Sequence, residues 1–348
     1  MGALVFEAIQ CAANAGDDDF DPVGIGADPA GLGEVFSGSD FDPLFHAGIM
    51  RQRLAPCVSR RRRNAYASGM QHVIPQIDRY LPVIESLANQ ALTMAVDGSP
   101  TRPAAGQKVC SLMACVPAAR ALVNEDDAQS DLEPDTLRAA LQDPATRLTD
   151  GFGHHRPIYR ALAWHLLACA GAFSEVEPGD PPSLLSEAFH DVWWQRWTAY
   201  QAGRPVALVL PEGEGPVHEQ TLNDAPEDWT YRDLAALHAV FCVGLAKLQG
   251  EAPAADGWLE RCQKAARFHL NHTQPDYTTY QPWGLPVFLL EADTAFFAEQ
   301  QLHDVQSHLH LSGPGCALVP GLLLADSVHL LRRLRAMARK QSGPSAVC

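Results

Sequence analysis

From about residue 66 to its C-terminal end the chain reads as a succession of apolar stretches with helical period, cut by Gly- and Pro-rich breaks, which leaves little sequence for a sheet. In "TYRDLAALHAVFCVGLAKLQG", Leu234, Leu237, His238, Phe241, Leu245 and Leu248 recur at the spacing of one helix face. "SGMQHVIPQIDRYLPVIESLANQALTMAV" predicts one or two helices, with Pro75 and Pro82 at kinks or breaks. Further helices are expected in "KVCSLMACVPAARALVN", "RPIYRALAWHLLACAGAF", "SLLSEAFHDVWWQRWTAY", "GWLERCQKAARFHLNH", "TAFFAEQQLHDVQSHLHL" and "ALVPGLLLADSVHLLRRLRAMARK". Only "PVALVLP" (205–211) reads as a strand. The expectation is an all-α protein whose helices pair into hairpins packed side by side, without an exact repeat period. Residues 15–45, rich in Gly, Asp and Pro, read as loop, so 1–45 is expected to be an irregular N-terminal arm or lid and 46–348 a single helical domain.

Charge and cysteine usage narrow the function classes. A formal net charge of −15 argues against binding nucleic acid, which needs a basic surface. No run approaches about 18 uninterrupted apolar residues, so no membrane span is expected. The N-terminal "MGALVFEAIQCAANAG" lacks a basic start and carries Glu7 in its apolar run, which makes a poor signal peptide. The nine cysteines are scattered, without a CxxC. Cys169, Cys242 and Cys262 lie inside apolar helical patterns and read as free thiols in a reducing, cytoplasmic setting. By spacing of cysteines alone, no zinc-thiolate site is expected. The basic cluster "SRRRRN" (59–64), with Arg51 and Arg53, is expected to pair with the acidic loop 15–45. No GxSxG, Walker loop, Rossmann glycine signature or HExxH is present.

"WLERCQKAARFHLNHTQPDYTTYQPWG" resembles the hairpin unit of α/α-toroid proteins, in which a helix ends in a pattern like QxPDGGWG before the next begins. Gln274, Pro275 and Asp276 match, and Tyr277, Thr278 and Thr279 stand where that family has its glycine pair. "LTDGFGHHRP" (148–157) is similar to the same turn through Asp150, Gly151, Phe152 and Gly153, and "ADGWLE" (255–260) is a third echo. The group includes terpenoid cyclases, prenyltransferase β chains and several glycan lyases and hydrolases. The resemblance implies a toroid with its site at the cavity mouth. The DxDD acid motif of class II cyclases and the Cys-His zinc motifs of the prenyltransferase and lanthionine-cyclase relatives are absent. "DDDFD" (17–21) has the letters of the diphosphate-binding DDxxD, but it sits in a Gly/Pro-rich loop, and "NEDDAQSDLE" (124–133) has the wrong spacing for a second metal motif. A solvated acidic loop explains it.

Three constellations carry candidate chemistry, each with a packing explanation beside it. If 257–272 is a helix, Trp258, Cys262, Ala265, Ala266 and His269 share a face, so His269 points inward and His272 ends the helix near Asp276 and Tyr277. Asp276, Tyr277, Tyr280 and Trp283 would then line a mouth, where an Asp beside a His is an acid/base pair and the aromatics bind substrate. Dipole capping by the histidines and buried aromatics explain the same residues. "TDGFGHHRP" gathers Asp150, His154, His155 and Arg156 ahead of a helix starting near Pro157, a place that attracts anions. In "EQQLHDVQSHLH", Glu299 and His303 are spaced i,i+4 as half of a metal site, which otherwise is an exposed helical pair. The three Trp of "FHDVWWQRWTAY" predict a helix buried on two sides or bordering a cavity.

The sequence therefore leads to an all-α toroid-like domain with Asp150, His154, His155, His269, His272 and Asp276 as catalytic candidates. Arg156, Tyr277, Tyr280 and Trp283 are the substrate-binding candidates, and Glu299 and His303 the metal ligands. The ligand class is a small molecule or glycan, and the cofactor, if any, a divalent metal ion. Lyase or hydrolase action on a glycan, or terpenoid-type cyclisation, is what the resemblance implies; the alternative is a non-catalytic helical binding or scaffold protein.

Overall fold

The structure, a computed structural model, describes residues 72–97, 109–124, 134–143, 145–171, 192–218, 225–249, 255–273 and 280–341. The arm expected over 1–45, the DDDFD run and the basic cluster at 59–64 lie outside them. Among the described residues 75% are helical and 3% are in strands, so the all-α expectation holds. In chain order the elements are α1 (Val73–Asp97), β1 (Val109–Ser111), a 3-10 turn (Leu112–Cys115), α2 (Val116–Val123), α3 (Pro134–Gln142), β2 (Arg147–Thr149), α4 (Ile158–Cys169), α5 (Val192–Gln201), α6 (Pro226–Gln249), α7 (Ala255–His272), α8 (Leu285–Phe288), α9 (Ala295–Ser312) and α10 (Pro314–Gln341).

Helix α1 runs unbroken past Pro82, where a kink or break was expected. Pro82 lies on the exposed face, so the carbonyl that loses its N–H partner is solvated rather than orphaned. The opposite face, from Ile77 through Ile84 and Ala88 to Leu92, is buried against α10. The two helices come so close that a Cβ on Gly321 would meet Leu92 and Ala91 at 3.1–3.2 Å. Arg332 to Glu85 at 2.8 Å and Arg335 to Asp78 at 3.0 Å tie their outer edges. Stretch Pro314–Lys340 is apolar and long enough to cross a membrane by length and composition, although Asp326, His329 and Arg332 interrupt it. Within the protein, 78% of its most apolar window is buried, so the same residues serve as a core helix.

Helix α6 is buried nearly all round from Trp229 to Leu245 and packs against α5, α7, α8 and α10. Its first turn carries Glu227 and Asp228, which suit the helix dipole. Helix α5 docks through Trp194, whose Nε1 donates to the Ala235 carbonyl at 2.7 Å. As expected, the Trp-rich segment buries Trp194 and Trp197. The extended run 205–211 forms no strand. Strand formation depends on a partner more than on apolar composition, and Val209 and Leu210 face solvent. The strands lie elsewhere: β1 and β2 pair in parallel, Cys110 opposite Leu148. The buried Arg160 of α4 donates to the carbonyls of Leu141, Asp143 and Thr146, fixing the turn that delivers β2 and the loop after it.

Candidate functional site

The loop from Asp150 to Pro157 is held by its own backbone chemistry. Asp150 Oδ1 accepts from the Phe152 and His154 amides, each at 2.9 Å, and the Asp150 amide donates to the His154 carbonyl at 2.9 Å. Gly151 lies against the start of α10, where a Cβ would come 2.3 Å from the Gly315 carbonyl oxygen, so only glycine permits the approach. His154 Nδ1 is 3.6 Å from Asp150 Oδ2. His155 pairs back to Thr149 through an isolated bridge, and its Nδ1 is 2.7 Å from the Leu148 carbonyl. A carbonyl only accepts, so Nδ1 carries the proton and exposed Nε2 keeps its lone pair.

Arg156 turns the other way, half-buried, with its guanidinium carbon 4.5 Å over the Tyr231 ring on the first turns of α6. Tyr159, Tyr280 and Asp228 are near enough to act on its charge. Burial pushes the Tyr231 hydroxyl up to about 12, with Arg156 and Trp283 offsetting part of the rise. Burial likewise drives Tyr159 well above the usual phenol range. Both phenols therefore stay protonated and serve as donors rather than bases. The Tyr231 hydroxyl, Trp283 Nε1 and Gln281 Oε1 are buried and make no hydrogen bond of good geometry within the protein. Such groups cost free energy unless a ligand or water satisfies them. Tyr280, 36% exposed, is near enough to this polar floor to act on Arg156 and Tyr231, while Phe152, 48% exposed, lies by His154 and Gly315.

Deeper in the core lies a constellation that no single stretch of sequence displays. Asp326, in the middle of α10, accepts from His165 Nε2 of α4 at 2.9 Å and from His238 Nε2 of α6 at 2.7 Å. All three side chains are sealed from solvent. Trp197 Nε1 donates to His165 Nδ1 at 3.0 Å, and the Gly284 amide to His238 Nδ1 at 3.2 Å. Burial disfavours the His238 imidazolium, but hydrogen bonds to Asp326 and Cys242 and the charges of both outweigh it and raise the group to about 9. The indole and amide donors oppose a proton on either Nδ1, since both groups only donate. In their neutral form both rings are therefore Nε2–H tautomers. Burial alone would raise the Asp326 carboxyl; the two imidazoles overcome it and hold the group well below the usual carboxylate range. Cys169 Sγ is 3.6 Å from His165 Nδ1, and Cys242 Sγ is 3.8 Å from His165 Nε2. Trp283 bridges the two regions: its ring lies edge-on to His238 at 5.7 Å and to Tyr231 at 6.1 Å.

The other expected residues separate. His269 points inward as predicted, but into a clamp: its Nε2 bonds Asp233 Oδ2, while Asp233 Oδ1 accepts from the Val217 amide at 2.8 Å and from the His218 amide. That arrangement ties α6 and α7 to segment 212–218 and keeps His269 away from solvent. His272 rests on the Phe268 ring at 4.8 Å. Asp276 and Tyr277 lie outside the described residues. Glu299 is taken by Arg79 at 3.1 Å and by the Tyr80 hydroxyl, and His303 turns to Asp304. Among the described residues the group dense enough to hold a metal is His165, Cys242 and Asp326, which includes neither Glu299 nor His303. His165, His238 and Asp326 were visible in sequence only as polar residues inside apolar helical runs, and Tyr159 and Tyr231 only as aromatics in such runs. No protein-family model, curated protein or solved structure matches this chain.

Proposed function

We propose that this chain is an enzyme of α/α-toroid type that cleaves a glycan by acid/base chemistry at the mouth formed by the 150–157 loop, the start of α6 and segment 280–284. The observation that supports it is the convergence of Arg156, the Tyr231 hydroxyl and Trp283 Nε1 near the half-exposed Tyr280, with the last two donors buried and without a hydrogen bond of good geometry. Donors so grouped suit a carboxylate or a developing oxyanion on a sugar, and aromatic faces suit sugar rings. His155 is the base, since Leu148 fixes its tautomer and leaves Nε2 open. Asp150 keeps one oxygen near His154 and spends the other on the loop. The net charge of −15 points to recognition of a single anionic unit rather than a long polyanion. Terpenoid cyclisation needs an apolar chamber, and the polar floor here speaks against it.

The test is a panel of neutral and uronate-containing oligosaccharides incubated with the purified chain. New reducing ends with ultraviolet-absorbing unsaturated sugars identify a lyase; new reducing ends without them identify a hydrolase. Arg156→Ala should raise KM by about tenfold to a hundredfold, the loss expected for a charge-assisted contact. Saturable binding without turnover across the panel would instead support the non-catalytic reading, which the raised phenols and the structural use of Asp150 already favour in part.

A further inference from the structure

We propose that the buried centre is a structural metal site for a thiophilic divalent cation, zinc by chemistry, with His165 Nε2, Cys242 Sγ, one Asp326 oxygen and Cys169 Sγ as ligands. His165 and Cys169 are spaced i,i+4 on α4, and His238 and Cys242 are spaced i,i+4 on α6, so each helix presents one imidazole and one thiol on one face. Asp326 enters between them from α10. The candidate ligand atoms of His165, Cys242 and Asp326 lie within 4.8 Å of one another; Cys169 Sγ, 3.8 Å from His165 Nε2, stands outside that group of three and would join it by a side-chain movement. Bond lengths of about 2.0–2.3 Å place tetrahedral zinc ligands roughly 3.3–3.8 Å apart, so the ligand atoms must draw together by about an ångström on binding and Cys169 must turn inward. Two sulfurs and an imidazole select zinc over magnesium or calcium.

The surroundings sort the two histidines. His238 keeps Gly284 as donor at Nδ1 and holds the second Asp326 oxygen through Nε2–H, so it orients the carboxylate from outside the ligand set. His165 must move its proton to Nδ1 when Nε2 binds metal, and Nδ1–H then needs an acceptor. The Gln201 amide nitrogen lies 3.0 Å from that Nδ1 while its buried Oε1 has no partner, and a half-turn of the amide supplies the oxygen. Trp197 then gives up its bond to Nδ1. Charge balances: the cation displaces one proton from Cys242 and one from the Cys169–His165 pair to solvent, so the centre carries one net negative charge before and after. Four protein ligands, with His165, Cys242 and Asp326 sealed from solvent and Cys169 at the partly exposed edge, make the site structural and independent of chemistry at the mouth.

The test uses the full chain, purified untagged and without chelator, with metals quantified and Co2+ added to the stripped protein. The expected result is about one zinc per chain and, with Co2+, a thiolate-to-metal charge-transfer band of a tetrahedral site. Both are lost in Cys242→Ser and retained in His303→Ala. A folded wild-type chain without zinc that gives no charge-transfer band overturns the proposal, and this result needs no variant to fold. Full metal retention in a folded Cys242→Ser chain, or metal loss in His303→Ala, overturns it as well.

Discussion

The mouth and the centre are built from the same residue types, histidine, aspartate and aromatic rings, yet water separates their chemistry. At the mouth His154 and His155 are exposed, and their partners are a carboxylate edge and a backbone carbonyl. At the centre His165 and His238 reach no solvent, and every ring nitrogen already has a partner. An imidazole needs an open nitrogen to move protons with a substrate. Under the proposed function the loop carries ligand chemistry, while the core joins α4, α6 and α10. Trp283, touching both, is the element through which one would disturb the other.

The largest effect should come from the core. Asp326→Asn leaves an amide N–H facing an imidazole N–H, and breaking a buried pair costs about 3–5 kcal/mol; chemical denaturation should show that loss. A second reading of the same group is its acid limb. Its folded pKa is depressed, so its contribution is complete above the unfolded value of about 3.9 and is lost as pH falls toward the folded value. In metal-stripped protein, the wild type should therefore lose stability below about pH 4 more steeply than Asp326→Asn. An equal slope would detach the carboxylate from the histidines.

Gly151→Ala comes next. Its Cβ would sit 2.3 Å from a backbone oxygen that cannot rotate away, so the loop must lift from α10 at a cost of roughly 1–3 kcal/mol. Thermal melting measures the cost, and loss of ligand binding measures the displaced Arg156. The smallest effect belongs to His303→Ala, 76% exposed and set against Asp304 at 3.3 Å, which should change stability by less than about 0.5 kcal/mol. A larger change would return His303 to a ligand role.

The helices were legible because their period is local. Trp258, Cys262, Ala265, Ala266 and His269 were placed on one face by spacing, and all five are buried. The 150–157 loop was legible because glycine, Asp and Pro act within a few residues. The strand expected at 205–211 failed, while β1 and β2, three residues each, were missed because each exists only through the other. Cys169 and Cys242 were read as packed thiols, which their helices justify one at a time. Residues 165, 238 and 326 meet only after three helices pack, so no window of sequence contains the centre. The clearest trace of it was a charge, Asp326, inside "GLLLADSVHLL".

The central claim, chemistry at the mouth and cohesion in the core, is tested most directly by measuring turnover and melting temperature side by side in His155→Gln and Asp326→Asn, on a substrate that the oligosaccharide panel shows to be cleaved. The account predicts a crossed result: His155→Gln loses about a hundredfold or more in kcat with an unchanged melting temperature, and Asp326→Asn melts far lower while its folded fraction keeps its turnover. Full turnover in His155→Gln, or a folded Asp326→Asn chain that is catalytically dead, would contradict it.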